Sequence, residues 1–342
     1  MAGHKPVPVH VRRDPLFCTP RSSAATAFIL FFLGTTHYAP RTLLSLPRRY
    51  DILAVDLDGT LLRRDGCVSR ANVEALARAR EEGLRVVVCT GRGWVECKHI
   101  LAAIRQQDPV VVAGGSIIAQ PESGRTVHRF SMAHTLVRGA VDTLLAQRHA
   151  ALVLKDPSEA GFDYLVVRGE HNVELDPVTR WWFGAMNVRV REAVHLDHDE
   201  HPEHTVRVGA CAPASKLSSL TAALAASAGA HGVVHDFPAV VAPDDACGTG
   251  THDPMRVLEL FDARATKWAG ITHLAAAWDI APERIAAIGD QINDLSMIKG
   301  AGLGIAMGNA IPALKDAAER HAPTNEEDGV AYAVERVLSG EW

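Results

Sequence analysis

The sequence predicts an α/β fold in which a doubly wound parallel sheet is interrupted by an inserted α+β unit. Short apolar runs rich in strand-forming residues alternate with helical segments, which is typical of buried parallel strands joined by crossover helices. The alternation stops near residue 117 and resumes near residue 255, which predicts the insert. The strands predicted for the main sheet are Ile52–Val55, Leu84–Cys89, Pro109–Ala113, Val257–Phe261 and Arg284–Ile288.

The length and composition indicate a globular chain of about two domains. The chain has 342 residues, of which 47% are hydrophobic, and a formal net charge of −5. The mild acidity and the lack of a long basic block argue against nucleic acid as the main partner. The six cysteines are scattered without a Cys-x-x-Cys pair, which favours a reducing compartment and predicts a cytoplasmic protein.

Residues 1–49 differ from the rest of the chain. Basic residues precede the apolar stretch Ala24–Leu33, which is too short to cross a bilayer. This arrangement also resembles a signal peptide, but the first predicted strand follows soon after it. We therefore expect a poorly ordered extension that the fold does not require, without stable membrane insertion. A deletion up to about Pro47 tests this, because an extension predicts soluble, active protein and a required segment predicts loss of folding or activity.

Local signals predict the helices and the strands of the insert. Ser69 is a suitable N-cap for a helix over Ser69–Glu82, and Gly83 is a natural stop for it. Helices are also predicted from Thr90-Gly91-Arg92 to about Gln107, over Thr135–His149 and Ser215–Ser227, and from Lys267 to about Trp278. The strands predicted for the insert are Phe162–Val167, Asn187–Val194, Thr205–Cys211 and Gly232–Phe237.

Two carboxylates follow the first predicted strand. The stretch DILAVDLDGTLL places Asp56 and Asp58 directly after an apolar run. Buried carboxylates are costly unless they have a partner, and Mg²⁺ is a suitable one because it prefers oxygen ligands. A carboxylate held beside Mg²⁺ can attack a phosphoryl group. An ordinary acidic loop is the alternative for a bare Asp-x-Asp, but the intact DxDGT pattern after a buried strand favours a catalytic site.

The DLDGTLL stretch resembles the first motif of the haloacid dehalogenase-like phosphatases, and later segments resemble their other motifs. Thr90 follows the second strand, Lys267 precedes a helix, and the GDQIND run Gly289–Asp294 follows the last strand. The segments Ala301–Ala310 and Ala322–Ala331 are similar to closing segments of the Cof-type group. The resemblance implies a Rossmann-like core over residues 50–116 and 255–342, with a C2-type α+β cap over residues 117–254.

The resemblance also implies a role for each matching residue. Asp56 would be the nucleophile, and Asp58 would act as general acid and base. Lys267 would neutralise the phosphate and keep Asp56 ionised. The residues that would hold the phosphate are Thr90, Gly91 and Asn293. The implied Mg²⁺ ligands are Asp56, the backbone carbonyl of Asp58, Asp290 and Asp294, with Thr324 and Asn325 bordering the site.

Two positions depart from the pattern of the family. Gly114 stands where Cof-type members often have Asn, so no substrate contact of that Asn is expected here. Trp268 stands where Gly often follows the Lys. Neither departure changes the predicted fold.

Two features of the insert have simpler explanations than catalysis. Four histidines recur at every third position in HLDHDEHPEH, at His195, His198, His201 and His204. Such a run can bind transition metals, but Pro202 and the neighbouring acids favour a solvated loop, with a structural or adventitious role. The aromatic run Trp181–Phe183 could line a substrate pocket, but core packing is the expected role.

Together these patterns predict a phosphoric monoester hydrolase. It would be a Mg²⁺-dependent phosphatase that acts on a small, sugar-phosphate-like metabolite through an aspartyl phosphate. A phosphosugar mutase is the first alternative, because the same core can pass its phosphate to a sugar hydroxyl. A non-catalytic metabolite-binding protein is the second, but it requires a broken site, and every acidic position is intact. The substrate and the oligomeric state are left open by the sequence.

Overall fold

The computed structural model describes residues 48–239 and 253–342. Nearly all of the predicted N-terminal extension lies outside the described residues, so the expectation about it stays a prediction. Among the described residues, no helix combines the length and the apolar character needed to cross a membrane.

The helices and strands are labelled in chain order. The part before residue 240 forms β1 (Ile52–Asp56), α1 (Arg70–Glu81), β2 (Arg85–Cys89), α2 (Trp94–Ala103), β3 (Val110–Val112), β4 (Ile117–Ala119), β5 (Thr126–Arg129), α3 (His134–Ala146), β6 (Ala151–Lys155), α4 (Pro157–Ala160), β7 (Tyr164–Val167), α5 (Pro177–Ala185), β8 (Val190–Ala193), β9 (Thr205–Pro213), α6 (Ala214–Ala228) and β10 (Gly232–Pro238). The part from residue 253 forms β11 (Met255–Asp262), α7 (Lys267–Ala277), β12 (Ile285–Gly289), α8 (Leu295–Gly300), β13 (Leu303–Ala306), α9 (Pro312–Ala317), β14 (Arg320–His321) and α10 (Gly329–Ser339).

The larger sheet has the strand order β14-β13-β12-β1-β2-β3-β4-β5. Adjacent strands in this sheet are parallel from β14 through β3, and β4 and β5 continue the sheet as antiparallel strands. Strand β1 lies between β12 and β2, and all five of its residues are buried. A strand covered on both faces needs an unbroken apolar run, which is the pattern that predicted it.

The smaller sheet has the order β10-β11-β9-β6-β7-β8. Its pairs are antiparallel except for β7 and β8. Helices α3 and α6 contribute Leu144, Leu220 and Leu224 to a second apolar core with strands of this sheet. The predicted fold, a doubly wound α/β sheet with an inserted α+β unit, is confirmed.

One strand predicted for the main sheet belongs to the other sheet. Val257–Phe261 lies within β11, which pairs antiparallel with β9 and β10, so its assignment to the larger sheet is wrong. An apolar run indicates a buried strand, but the neighbours of that strand depend on distant residues. Conversely, β4 and β5, which were not predicted as strands, lie within the predicted insert but extend the larger sheet. The predicted limits of the insert, residues 117 and 254, therefore do not coincide with the change of sheet.

Candidate active site

The candidate site lies where three parallel strands of the larger sheet end. Strand β1 ends at Asp56, β2 ends one residue before Thr90, and β12 ends one residue before Asp290. The carboxyl ends of parallel strands meet at one edge of the sheet, which is the usual ligand-binding edge. Helix α7 begins at Lys267, behind an N-cap in which the Thr266 side chain accepts a hydrogen bond from the N–H of Ala269.

Lys267 joins two of the predicted carboxylates. Its Nζ lies 2.6 Å from Asp56 Oδ1 and 2.5 Å from Asp294 Oδ1, and all three side chains are buried. Burial alone would lower the pKa of Lys267, but the charges of Asp294 and Asp56 outweigh it and raise that pKa above its usual value. The lysine is therefore an ammonium group fixed between the two carboxylates.

The cluster carries more negative than positive charge. Asp56, Asp290 and Asp294 are all buried, and Lys267 is the cation bonded to two of them. Burial and the charge of Asp294 raise the pKa of Asp56 well above its usual value, although Lys267 opposes this. The same two causes raise the pKa of Asp290 to about 7. A second cation would relieve this excess of buried negative charge.

The three carboxylates are suited to a divalent cation. Ligand oxygens of Asp56, Asp290 and Asp294 lie within 4.8 Å of one another. Carboxylate oxygens are the ligands that Mg²⁺ prefers. Gly59 brings the backbone close to this group: its φ is +77°, and a Cβ there would lie 2.3 Å from Asp290 Oδ2. The residues present therefore fit Mg²⁺.

Asp294 has a second role within this group. Its Oδ2 accepts hydrogen bonds from the backbone N–H groups of Asp290 and Gln291, each at 2.9 Å. With Oδ1 on Lys267, Asp294 links the loop after β12 to helix α7. Two further hydrogen bonds fix Asp290 and the neighbouring backbone of Gly59. Thr60 Oγ1 donates to Asp290 Oδ1 at 3.2 Å, and Asn309 Nδ2 donates to the Gly59 carbonyl at 2.8 Å.

Of the predicted phosphate-binding residues, Thr90 lies at the same edge of the sheet, and Gly91 and Asn293 line the adjoining cavity. Thr90 is buried, and its Oγ1 accepts from the N–H of Arg92 at 3.1 Å, which leaves the hydroxyl proton available. The side-chain oxygen of Asn293 is buried without a hydrogen-bond partner among the described residues. A buried side-chain oxygen without a partner is uncommon, and a hydrogen-bond donor from water or a ligand can satisfy it.

Asp58 has a partner that the sequence did not predict. Both of its carboxylate oxygens accept hydrogen bonds from Arg92, at 2.5 and 2.9 Å. Its side chain is not part of the group formed by Asp56, Asp290 and Asp294. The predicted contact of its backbone carbonyl with Mg²⁺ stays a prediction. Arg92 directly follows Thr90-Gly91, and this position after a strand end was a signal that could have found it.

A cavity of about 370 Å³ extends from the aspartates toward the smaller sheet. Aromatic side chains from α5 and β10 line it, at Trp182, Phe183 and Phe237. Phe183 also belongs to the main apolar core and Trp182 packs against it, so the aromatic run both packs in the core and lines the pocket. Core packing was the expected role and pocket lining the alternative.

A buried polar network joins the two sheets at this cavity. Arg207 of β9 donates to the carbonyl oxygen of Gly91 at 2.7 Å and lies 2.7 Å from Glu259 Oε1 of β11. It also donates to the Tyr164 hydroxyl. Tyr164 in turn donates to Glu96 of α2 at 3.2 Å. Burial raises the pKa of Tyr164 well above its usual value, so it stays a donor. No role for these residues was predicted from the sequence.

A model of the haloacid dehalogenase-like hydrolases matches residues 53–334 of this chain. The chain belongs to this family. It is 28% identical over 294 residues to a 5-amino-6-(5-phospho-D-ribitylamino)uracil phosphatase of Bacillus subtilis, covering 84% of this chain and 97% of that protein. It is 27% identical over 309 residues to a pyridoxal phosphate phosphatase of Escherichia coli, covering 83% and 97%. The predicted enzyme class, a phosphoric monoester hydrolase, is confirmed.

A solved haloacid dehalogenase-like hydrolase from Bacteroides thetaiotaomicron has the same fold. The two structures superpose with a TM-score of 0.66 at 26% identity, over 84% of this chain and 99% of the other. The family resemblance stated from the motifs is therefore confirmed along nearly all of the described chain.

The two departures from the family pattern have structural explanations. Gly114 has φ +68°, and a Cβ there would lie 2.6 Å from the ring of Phe261 in β11. A side chain at 114 would thus collide with the smaller sheet. Trp268 is accommodated by Gly300, where a Cβ would lie 2.3 Å from the indole.

Two other predictions concern residues away from the cluster. Asn325 donates from Nδ2 to the Leu62 carbonyl at 2.8 Å, and Thr324 bonds Glu327 at 2.8 Å; neither lines the cavity.

In the histidine run, ligand atoms of His201, Glu203 and His204 lie within 4.8 Å of one another. These three residues do not line the cavity either, which agrees with a role outside catalysis.

Proposed function

We propose that this chain is a Mg²⁺-dependent phosphatase that hydrolyses a small phosphomonoester, sugar-phosphate-like in size, through an aspartyl phosphate on Asp56. The observation that supports this most strongly is the buried contact of Lys267 with both Asp56 and Asp294. An ammonium fixed on one oxygen of a carboxylate orients the other oxygen for attack. A reducing, cytoplasmic location belongs to the same proposal.

The first step transfers the phosphoryl group to Asp56. Lys267 holds Oδ1 at 2.6 Å, and Oδ2 forms the new bond to phosphorus while the bond to the leaving oxygen breaks. Asp56, the Asp58 carbonyl, Asp290 and Asp294 would hold Mg²⁺, which when bound neutralises phosphate and carboxylate charge. The Thr90 hydroxyl, Gly91 and the Asn293 amide would hold the phosphate oxygens.

Asp58 would move the proton in both steps. An alkoxide leaves poorly, so a positioned acid protonates it, and the resulting base then takes a proton from the water that attacks phosphorus. That attack releases inorganic phosphate and restores the Asp56 carboxylate. Both Asp58 oxygens lie on Arg92, so the acid step requires that one of them leaves the arginine.

The named relatives support a small phosphorylated metabolite as substrate. One acts on a phosphorylated ribitylaminouracil and the other on pyridoxal phosphate. Both substrates are phosphomonoesters that carry a ring, and the cavity of about 370 Å³ has room for a molecule of this class.

An activity screen of the purified protein tests the proposal. We expect release of free phosphate from a panel of phosphometabolites with Mg²⁺, and loss of activity with a chelator. An isomerised sugar phosphate without free phosphate would instead establish the mutase alternative. Stoichiometric Mg²⁺ binding without turnover of any phosphoester would establish a binding protein.

A further inference from the structure

The wall that the smaller sheet contributes to the cavity carries charged side chains that the proposed reaction does not use. Arg207 and Glu259 lie on neighbouring strands β9 and β11, and both are buried. Glu96 of α2 lies beside them and accepts hydrogen bonds from the Tyr164 hydroxyl, from Trp182 Nε1 at 2.8 Å and from the Gly93 N–H at 2.5 Å. Burying charged side chains costs free energy, so these charged residues beside the cavity are candidates for binding a ligand.

This wall has a negative balance. Glu96 and Glu259 contribute two negative charges and Arg207 one positive charge, which leaves one negative charge in excess. Among the described residues that line the cavity, the cations are Arg92 and Arg207. Arg92 is paired with Asp58 and Arg207 with Glu259, so the charge of each cation is already offset by a carboxylate.

Glu259 offers an acceptor to a ligand. Its Oε1 lies on Arg207, and the same side chain lines the cavity, which leaves Oε2 for a hydrogen-bond donor. Arg207 also bonds the carbonyl oxygen of Gly91, the residue after Thr90. Glu259 is thus fixed, through one arginine, next to the loop that would hold the phosphate.

The remaining walls favour a flat group. Trp182, Phe183 and Phe237 line the cavity together with aliphatic side chains. Aromatic side chains pack well against planar rings. An apolar pocket with a few fixed polar groups orients a ligand through those groups.

We propose that the leaving group of the substrate is a planar ring that bears hydrogen-bond donors, which Glu259 recognises, and that carries no second anionic group. This inference rests on the proposed phosphatase function. Glu259 is the residue that sets this preference, and Arg207 positions it.

Three phosphomonoesters with one ring and one phosphate position test the preference. Pyridoxamine 5′-phosphate, pyridoxine 5′-phosphate and 4-pyridoxic acid 5′-phosphate differ only in an aminomethyl, hydroxymethyl or carboxylate group. We expect kcat/KM of the wild-type enzyme to be about a hundredfold higher for the amine than for the acid, with the alcohol between them. Equal values for the amine and the acid would overturn the inference, as would hydrolysis of an aryl phosphate but of none of the three.

The variant Glu259→Gln tests the assigned residue. It removes the charge and keeps the shape, so the amine-to-acid ratio of kcat/KM should fall by about tenfold or more. The ratio is measured on one preparation, so a loss of folded protein cancels from it. The control Glu192→Gln makes the same change at an exposed glutamate of β8, which pairs with Arg168 at 3.1 Å, and should keep the wild-type ratio. An unchanged ratio in Glu259→Gln, or an equal change in the control, would refute the role.

The outcomes separate this inference from the function on which it rests. No release of phosphate from these esters or from an aryl phosphate would remove the phosphatase function, and the inference with it. Hydrolysis without the expected preference would remove the inference alone.

Discussion

At the scale of single residues, Asp56 and Asp58 of the candidate site are bound by different basic side chains. Arg92 donates hydrogen bonds to both carboxylate oxygens of Asp58, while Lys267 donates one to Asp56. The two aspartates lie two positions apart in the chain but have different cationic partners. This separation agrees with different proposed roles, nucleophile for Asp56 and proton transfer for Asp58.

Replacement of Asp58 by Ala should lower turnover by about a hundred- to ten-thousandfold, the range expected for a lost general acid–base. Aryl phosphates should lose less than alkyl phosphates in the phosphorylation step, because a phenolate leaves without a proton. The aspartyl phosphate should then accumulate, since the attacking water still needs a base. Single-turnover rapid-quench measurements with both ester types follow each step. Equal losses for both types, without trapped phosphoenzyme, would exclude this role.

Residues of the candidate site were predictable where local sequence determines position. Asp56 ends a strand, and Thr90 and Asp290 each follow one, and apolar runs reveal all three strands, which the structure brings to one edge of the sheet. Arg207 and Glu259 were not found, because they meet through pairing of β9 with β11 across some fifty residues of chain. A charged residue within an otherwise apolar strand was the signal that could have marked both.

At the scale of elements, the turn after β3 shows how the two sheets constrain each other. Gly114 has φ +68° and lies against Phe261, which β11 of the smaller sheet supplies. The position therefore has two requirements, a left-handed backbone and an absent side chain. Gly161 offers a comparison, since its φ is +79° and a Cβ there would meet nothing within 4 Å.

The variant Gly114→Ala should destabilise the protein more than Gly161→Ala. Both pay the left-handed penalty of about 1–2 kcal/mol, and only the first adds a collision, which typically costs about 1–3 kcal/mol. Urea denaturation of the two variants and the wild type measures the difference. Equal losses would show that the contact with Phe261 adds nothing to the strain of the backbone.

Elements with strong local signals were predicted well. The Ser69 hydroxyl accepts from the N–H of Asn72 at 3.1 Å, so the predicted N-cap of α1 is confirmed. Strand β6, at Ala151–Lys155, was not predicted, and the preceding helix was predicted to reach His149, whereas α3 ends at Ala146. Strand β11 was recognised as a strand but assigned to the wrong sheet, since periodicity carries no information about neighbours.

At the scale of the whole molecule, the buried aspartates link stability to pH and to metal. The pKa of Asp290 is raised from 3.8 to about 7 by burial and by the charge of Asp294. Between these values the folded protein binds more protons than the unfolded chain. The contribution of Asp290 to stability is therefore present below pH 4 and is lost as pH rises towards 7.

Mg²⁺ should restore the stability that the protein loses as pH rises. The stabilisation should be larger at pH 8 than at pH 5, because protons compete with the metal for the carboxylates. The melting temperature with Mg²⁺ and with a chelator at both pH values measures the effect. The variant Asp290→Asn should lose most of the Mg²⁺-dependent increase. An increase that is equal at both pH values, or that survives in the variant, would contradict binding at this cluster.

The most direct test of the central claim is the rate of phosphate release by Asp56→Asn. The variant keeps the size of the side chain but removes the nucleophile, so turnover of an aryl phosphate with Mg²⁺ should fall to background while circular dichroism stays native. The control Asp51→Asn makes the same change just before β1, at a side chain that pairs with Arg284 away from the cavity, and should retain wild-type turnover. Phosphate release by folded Asp56→Asn at a rate near that of the wild type would contradict the account.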